Sequence, residues 1–214
     1  MKTKFIILLV TIVSSINSFA QSEEEGRLSF GVRAGFNLQN LNGKNANGDM
    51  LKNGLAPRYH FGVNIEIPIV PEIYLQPNIL FSTKGAIVNS AQINLSYVEL
   101  PINFIYKPLL GTGHLLLGFG PYFAYAVRGR VNQNENKDKI TFKSSQSNLD
   151  KNLVIKPFDA GAGMLFGYEF ANRLSLQLNV QLGLVNIYPA YDGITNDKSI
   201  LKNTGFGISG GYRF

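Results

Sequence analysis

The sequence predicts an all-β chain: an eight-stranded antiparallel up-and-down transmembrane β-barrel. Three observations lead there. Eight stretches alternate apolar and polar residues, their connections are sorted by length, and the polar phase is built of small residues with few charges. A period of two is the signature of strands, and no helical period lies between the stretches.

The first segment is "LSFGVRAGFNLQN", with Leu28, Phe30, Val32, Ala34, Phe36 and Leu38 apolar and Arg33 on the other phase among glycines. The second, "PRYHFGVNIEIP", sets Tyr59, Phe61, Val63, Ile65 and Ile67 against Arg58, His60, Asn64 and Glu66. The third, "EIYLQPNILFSTK", is less clean, because Pro77 falls on its apolar phase and Leu80 on its polar phase. The fourth, "YVELPINFIYK", places Val98, Leu100, Ile102, Phe104 and Tyr106 opposite Glu99 and Asn103. The fifth, "HLLLGFGPYFAYAVR", opposes Leu115, Leu117, Phe119, Phe123, Tyr125 and Val127 to Gly118, Gly120, Tyr122 and Arg128. In the sixth, "PFDAGAGMLFGYEF", Asp159 and Glu169 share a phase with glycines. The seventh, "RLSLQLNVQLGLVNI", alternates most cleanly, and the eighth, "NTGFGISGGYRF", puts Phe206, Ile208, Tyr212 and Phe214 opposite Ser209 and Arg213.

The chain opens with Lys2 and Lys4, an apolar run from Phe5 to Val13 and the small-residue site Ser18-Phe19-Ala20. This is the pattern of a secretory signal peptide, expected over 1–20 with the barrel domain over 21–214. Removing Lys2 and Lys4 lowers the formal charge from +6 to +4. The chain has no Cys, so an exported domain of this composition does without disulfides. After the leader no run approaches the roughly 18 apolar residues of a transmembrane helix. Membrane strands alternate instead and score near neutral.

The connections carry the second signal. Long polar links are expected after the first and fifth segments and before the eighth, with a medium link around Gly85 to Ala91. Tight links are expected at "IVP", "PLLGTG" and "ANR". Outer-membrane barrels sort their connections this way, with short periplasmic turns and long outer loops, which would leave both termini periplasmic. The polar stretch from Gly129 to Lys156 reads as a solvated loop.

Which phase faces inward follows from the polar residues. The outward phase of a soluble barrel would carry charges, roughly a quarter of ordinary residues. Here it is mostly Gly, Ser, Asn and Gln, suited to the narrow, side-chain-filled interior of a small barrel. The apolar phase is then a lipid-facing band, and only a closed barrel satisfies every backbone polar group there. Tyr106, Tyr168, Phe170, Tyr212 and Phe214 fall beside the short turns or the C-terminus, where an aromatic belt sits.

The lumen phase carries Arg33, Arg58, Glu66, Lys84, Glu99, Arg128, Asp159, Glu169 and Arg213. Buried ions pair, so a network is expected among Arg33, Arg58, Glu66, Glu99, Asp159 and Glu169. Glu99 is its expected centre, with Arg33 or Arg58 as partner, while Arg128 and Lys84 are expected to be solvated near the rims. His60 and His114 offer no metal spacing, and no Ser/His/Asp constellation reaches the outer rim. No catalytic residue, metal or cofactor is expected. "GFGPYF" and "GAGMLFG" precede no helix and so do not read as phosphate cradles. Nucleic-acid binding would need more stacking aromatics than Phe142.

"GVRAGFNLQNL", "YVELPINFIYKP", "GFGPYFAYAV", "VQLGLVNIYP" and "GISGGYRF" together resemble the PorT-like outer-membrane β-barrel domain of Bacteroidetes. Tyr97-Val98-Glu99-Leu100-Pro101 resembles that family's Tyr-x-Glu-x-Pro strand. Ile208, Tyr212 and the final Phe214 resemble the C-terminal signal read by the barrel-assembly machinery. The resemblance implies an outer-membrane barrel. Fold does not dictate role, and the expected one is structural or surface-interacting, through the long loops of a monomer with a plugged lumen. Outer-membrane lipid and the barrel-assembly machinery are the expected partners. An accessory place in a secretion or envelope complex, or a narrow small-solute channel, is the alternative.

Overall fold

The structure is a computed structural model. It describes residues 28–133, 136–146, 152–191 and 198–214, so the leader expected over 1–20 lies outside the described residues.

Eight long strands follow one another: β1 (Ser29–Lys44), β2 (Ala56–Val70), β3 (Ile73–Val88), β4 (Ala91–Tyr106), β5 (Gly113–Gln133), β6 (Phe158–Glu169), β7 (Leu174–Gly183) and β8 (Ile200–Arg213). Each pairs antiparallel with its sequence neighbours. Pairing of β8 with β1, from Gly31 opposite Arg213 to Lys44 opposite Ile200, closes the ring into a barrel. Closure removes the sheet edges, so the backbone groups of the wall are satisfied strand to strand.

The side chains divide as the alternation predicts. Phe36 is 76% and Phe119 63% exposed on the outside, whereas Asp159 is 0% and Lys84, Glu66 and Glu99 each 1% exposed within. Glycines make room inside. A Cβ at Gly120 would run into the Ile102 carbonyl of the adjacent strand, and one at Gly161 would meet the Tyr122 ring at 2.7 Å. The interior is also less polar than the alternation suggests, because Tyr97, Tyr122, Leu80, Leu116 and Leu165 are buried there.

At one end the connections are short. Residues 71–72 join β2 to β3 and 170–173 join β6 to β7, with Glu72 and Arg173 at φ 64° and 66°. Between β4 and β5, Leu109–Leu110 folds back onto Gly113 and His114. The Tyr168 hydroxyl donates to the Leu110 carbonyl at 2.7 Å. Tyr168 and Phe170 make an edge-to-face pair at 5.1 Å, as do Tyr212 and Phe214 at 5.2 Å.

The other end departs from expectation in three ways. The medium link expected around Gly85 to Ala91 is a tight hairpin, for β3 reaches Val88 and β4 begins at Ala91. Asn89 and Ser90 have φ of 44° and 69°, the double positive φ of a type I′ turn whose twist suits paired strands. Secondly, the solvated reading of Gly129 to Lys156 is incomplete. Thr141–Phe142 pairs with Val154–Ile155, and Ile140 and Ile155 are buried. With Ile187 they pack on Leu41, Leu95, Tyr97 and Tyr122 in one apolar cluster across the barrel mouth. Folding these few apolar side chains inward removes them from water, which a polar loop otherwise gives no reason to do.

Thirdly, Arg128 leaves the lumen phase. Ser96 lies opposite Arg128 but Tyr97 lies opposite Ala126, so β5 carries an extra residue at Val127. Such a bulge inverts the alternation beyond it. Val127 and Arg128 are accordingly both exposed, and so is Arg130, while Gly129 turns inward against Ile140.

Candidate functional site: a charged lumen

Two charge clusters occupy the lumen, joined by a polar middle. In the first, Lys84 of β3 places Nζ 3.0 Å from Glu99 Oε2 of β4 and 3.3 Å from Asp159 Oδ2 of β6. The ammonium also stands 4.0 Å from the centre of the Tyr122 ring, close enough for the ring face to share in neutralising it. Asp159 accepts further hydrogen bonds from the Tyr122 hydroxyl at 3.2 Å and from Asn203 Nδ2 at 2.9 Å. Gln181 Nε2 donates to Glu99 Oε1. Strands from around the wall are thus tied across the interior.

The second cluster lies at the short-turn end. Lys107 Nζ is 3.0 Å from Glu66 and 2.8 Å from Glu169. Arg213 pairs with the same two carboxylates, reaching Glu169 at 3.3 Å, and donates to Ser29 and Asn64 at 3.3 Å. Cations and anions alternate around a square in which each has two opposite neighbours.

Arg33 sits between the clusters, its Nη2 donating to Asn179 Oδ1 at 3.2 Å, and Asn179 in turn donates to Ser209 at 2.7 Å. His60 Nδ1 is 3.0 Å from Asn37 Oδ1. Arg33, His60 and Glu99 border one cavity of about 20 Å³, roughly the space of a single water. The first cluster carries one carboxylate more than its lysine balances, and Arg33, across the cavity from Glu99, supplies the matching charge. The lumen therefore sets Arg33, Lys84, Lys107 and Arg213 against Glu66, Glu99, Asp159 and Glu169. Balance of this kind is what the low-dielectric interior of a narrow barrel demands.

Glu66, Glu99, Asp159 and Glu169 all lie in these clusters, but the expected partners of Glu99 do not hold. Among the described residues Arg33 and Arg58 make no ion pair, and Lys84, expected at a solvated rim, is the partner. Arg58 instead donates to the carbonyls of Pro57, Lys84 and Ile93, with its Nη2 at 2.8 Å from Ile93 O. Phase assigns a side to each residue but not a height, and strand tilt brings distant sequence positions to one level. Lys107 lies outside the network expected from the sequence. Its signal was parity: Glu99, Asn103 and Ile105 occupy odd, inner positions, and Lys107 continues them past the end of β4. Ile208, Tyr212 and Phe214 face outward along the last strand. Among the described residues no three His, Cys, Asp or Glu side chains converge as a metal site would need.

A closed antiparallel barrel with an apolar outer wall and a charged, balanced interior belongs to the class of outer-membrane barrels. The sequence agrees: the family profile described as "Outer membrane protein beta-barrel domain" matches residues 19–188, and the chain belongs to that family. No curated protein matches it. Its fold is similar to Ail, the attachment invasion locus protein of Yersinia pestis, at 9% identity and a TM-score of 0.42 over 89% of this chain and 99% of that one. Neisserial surface protein A is similar at 12% identity and a TM-score of 0.46, covering 86% and 97%. OprG of Pseudomonas aeruginosa is similar at 12% identity and a TM-score of 0.44, covering 91% and 98%.

Proposed function

We propose that this outer-membrane barrel is a sealed, non-enzymatic monomer that acts through its long-loop end, with both termini in the periplasm. The observation that carries the reading is the filled lumen. A balanced square of ions closes the short-turn end, the Lys84 cluster spans the lumen beneath the mouth, and Ile140, Ile155 and Ile187 cover the mouth. The reading places the chain in the PorT-like branch of Bacteroidetes, with a leader over 1–20 removed before assembly. Ile208, Tyr212 and Phe214 would then present the signal to the assembly machinery.

Planar bilayers holding the full mature chain test the seal. No steady unitary current is expected; a steady current that changes with Glu99→Gln would replace this reading with the channel. Orientation has its own test, since the chain lacks Cys. Lys52→Cys on the long-loop end should react with an impermeant maleimide on intact cells, and Arg173→Cys on the short-turn end only after permeabilisation. The reverse pattern would invert the topology. Isolation from native membranes should yield the barrel alone, and a stoichiometric partner would favour an accessory place in an envelope complex.

A further inference from the structure

The outward face changes character just beyond the lipid-facing band on β4 and β5. Below the bulge that face presents Val98, Tyr125 and Val127, exposed by 48%, 58% and 55%. Above it the face is basic. The outer end of β5 pairs with Asn136–Lys139, setting Arg130 directly opposite Lys139 and Asn132 opposite Lys137. Arg128 lies two residues below Arg130, and β4 contributes Ser96 and Asn94 as their cross-strand neighbours. Arg128, Arg130, Lys137 and Lys139 are all exposed. Among the described residues none of the four has a carboxylate partner. Asp138, opposite Val131, belongs to the other face of the hairpin.

Two cations directly opposed across antiparallel strands repel and weaken the pair. Here the opposed pair sits in line with a third and fourth cation, and among the described residues nothing on the same face offsets them. The bulge at Val127 turns this row outward; without it Arg128 and Arg130 would point into the barrel, where the Lys84 cluster is already balanced.

We propose that Arg128, Arg130, Lys137 and Lys139 form a binding face for the phosphorylated headgroups of outer-leaflet lipid. The site is continuous with the lipid-facing wall, so a bound lipid lays its acyl chains along Tyr125 and Val127 and brings its phosphates to the basic row. Arginine's planar fork suits a phosphate oxygen pair, and the two lysines add point charge. Ser96 and Asn94 offer neutral donors at the same level. The inference rests on the long-loop end facing outward, which the cysteine-labelling experiment decides separately.

The test uses the full mature chain folded in a neutral detergent and titrated with bisphosphorylated lipid A, with bound lipid counted by native mass spectrometry. Binding should weaken at least tenfold in Arg128→Gln/Arg130→Gln/Lys139→Gln. It should change less than twofold in the control Lys44→Gln/Lys52→Gln/Lys198→Gln. Dephosphorylated lipid A should bind as weakly to wild type as the phosphorylated lipid binds to the triple variant. Excess inorganic phosphate should not displace the lipid; displacement would mean that the row is a general phosphate site and would overturn the lipid assignment. Lys139→Glu guards against misfolding, because it replaces the repelling pair with an ion pair across Arg130. That variant should fold at least as well as wild type and still lose lipid A. Equal retention by wild type and Lys139→Glu, or equal loss in the control, would overturn the proposal.

Discussion

Lys84 should be the residue whose loss the barrel tolerates least. Its ammonium holds two carboxylates at 3.0 and 3.3 Å, and all three side chains are at most 1% exposed. With an effective dielectric constant of about 20, these attractions amount to about 5.5 and 5 kcal/mol before the desolvation of the ammonium is set against them. Lys84→Met keeps the aliphatic stem and removes the charge, which leaves Glu99 facing Arg33 and Asp159 without a cation. Orphaning a buried charge in this way costs about 3–5 kcal/mol. Lys84→Met/Asp159→Asn removes one charge of each sign and restores the balance, so its stability should return to within about 1–2 kcal/mol of wild type. The double variant should therefore cost less than the sum of the two single variants, as expected for groups in direct contact. Equilibrium urea unfolding in phosphatidylcholine vesicles, followed by far-UV circular dichroism because the chain has no Trp, measures wild type, Lys84→Met, Asp159→Asn and the double variant. The exposed Lys44→Met should stay within about 0.5 kcal/mol of wild type. A cost below about 1 kcal/mol for Lys84→Met, or a double variant as unstable as the sum of its parts, would refute the balanced-lumen account.

Gly120→Ala should lower stability by about 1–3 kcal/mol, because its Cβ meets the Ile102 carbonyl and lies 2.9 Å from Asn103 Cα, both backbone atoms. Gly210→Ala, whose nearest neighbour would be the Ser175 carbonyl at 3.9 Å, should be nearly neutral in the same unfolding assay. Ile155→Ala should cost the mouth cluster about 2–5 kcal/mol while leaving the strands paired. Limited proteolysis should then cut faster within 137–157 at an unchanged far-UV spectrum; loss of the whole spectrum instead would mean that the cluster holds the barrel and not merely its cover.

How much of this was legible in the sequence differs from strand to strand. β7 could be read residue by residue, because Leu174, Leu176, Leu178, Val180 and Leu182 never leave the outer phase. β3 could not, since Leu80 is buried on the inner phase and Lys84 lies deeper than its place near the strand end implies. The Val127 bulge left no mark that alternation could reveal, because a valine followed by an arginine continues the period as it stands. Ile140 and Ile155 are too few among polar residues to announce a cluster, and they became part of one only through partners such as Leu41 and Tyr97, distant in sequence. In the site, the four carboxylates were visible as charges on an inner phase. Which cations pair with them was not, because the choice among Arg33, Arg58, Lys84 and Lys107 is a matter of height along the barrel axis.

The sequence by itself determined that the chain is a barrel with its apolar face outward. A period of two, small residues on the polar phase and sorted connections are local properties, and backbone groups in lipid permit no other closure of such strands. Which charges meet inside, where β5 turns its arginines outward and what covers the mouth were decided only by the tertiary structure. Those depend on strand tilt, on one extra residue in one ladder and on contacts between segments remote in sequence, and none of these has a period to read.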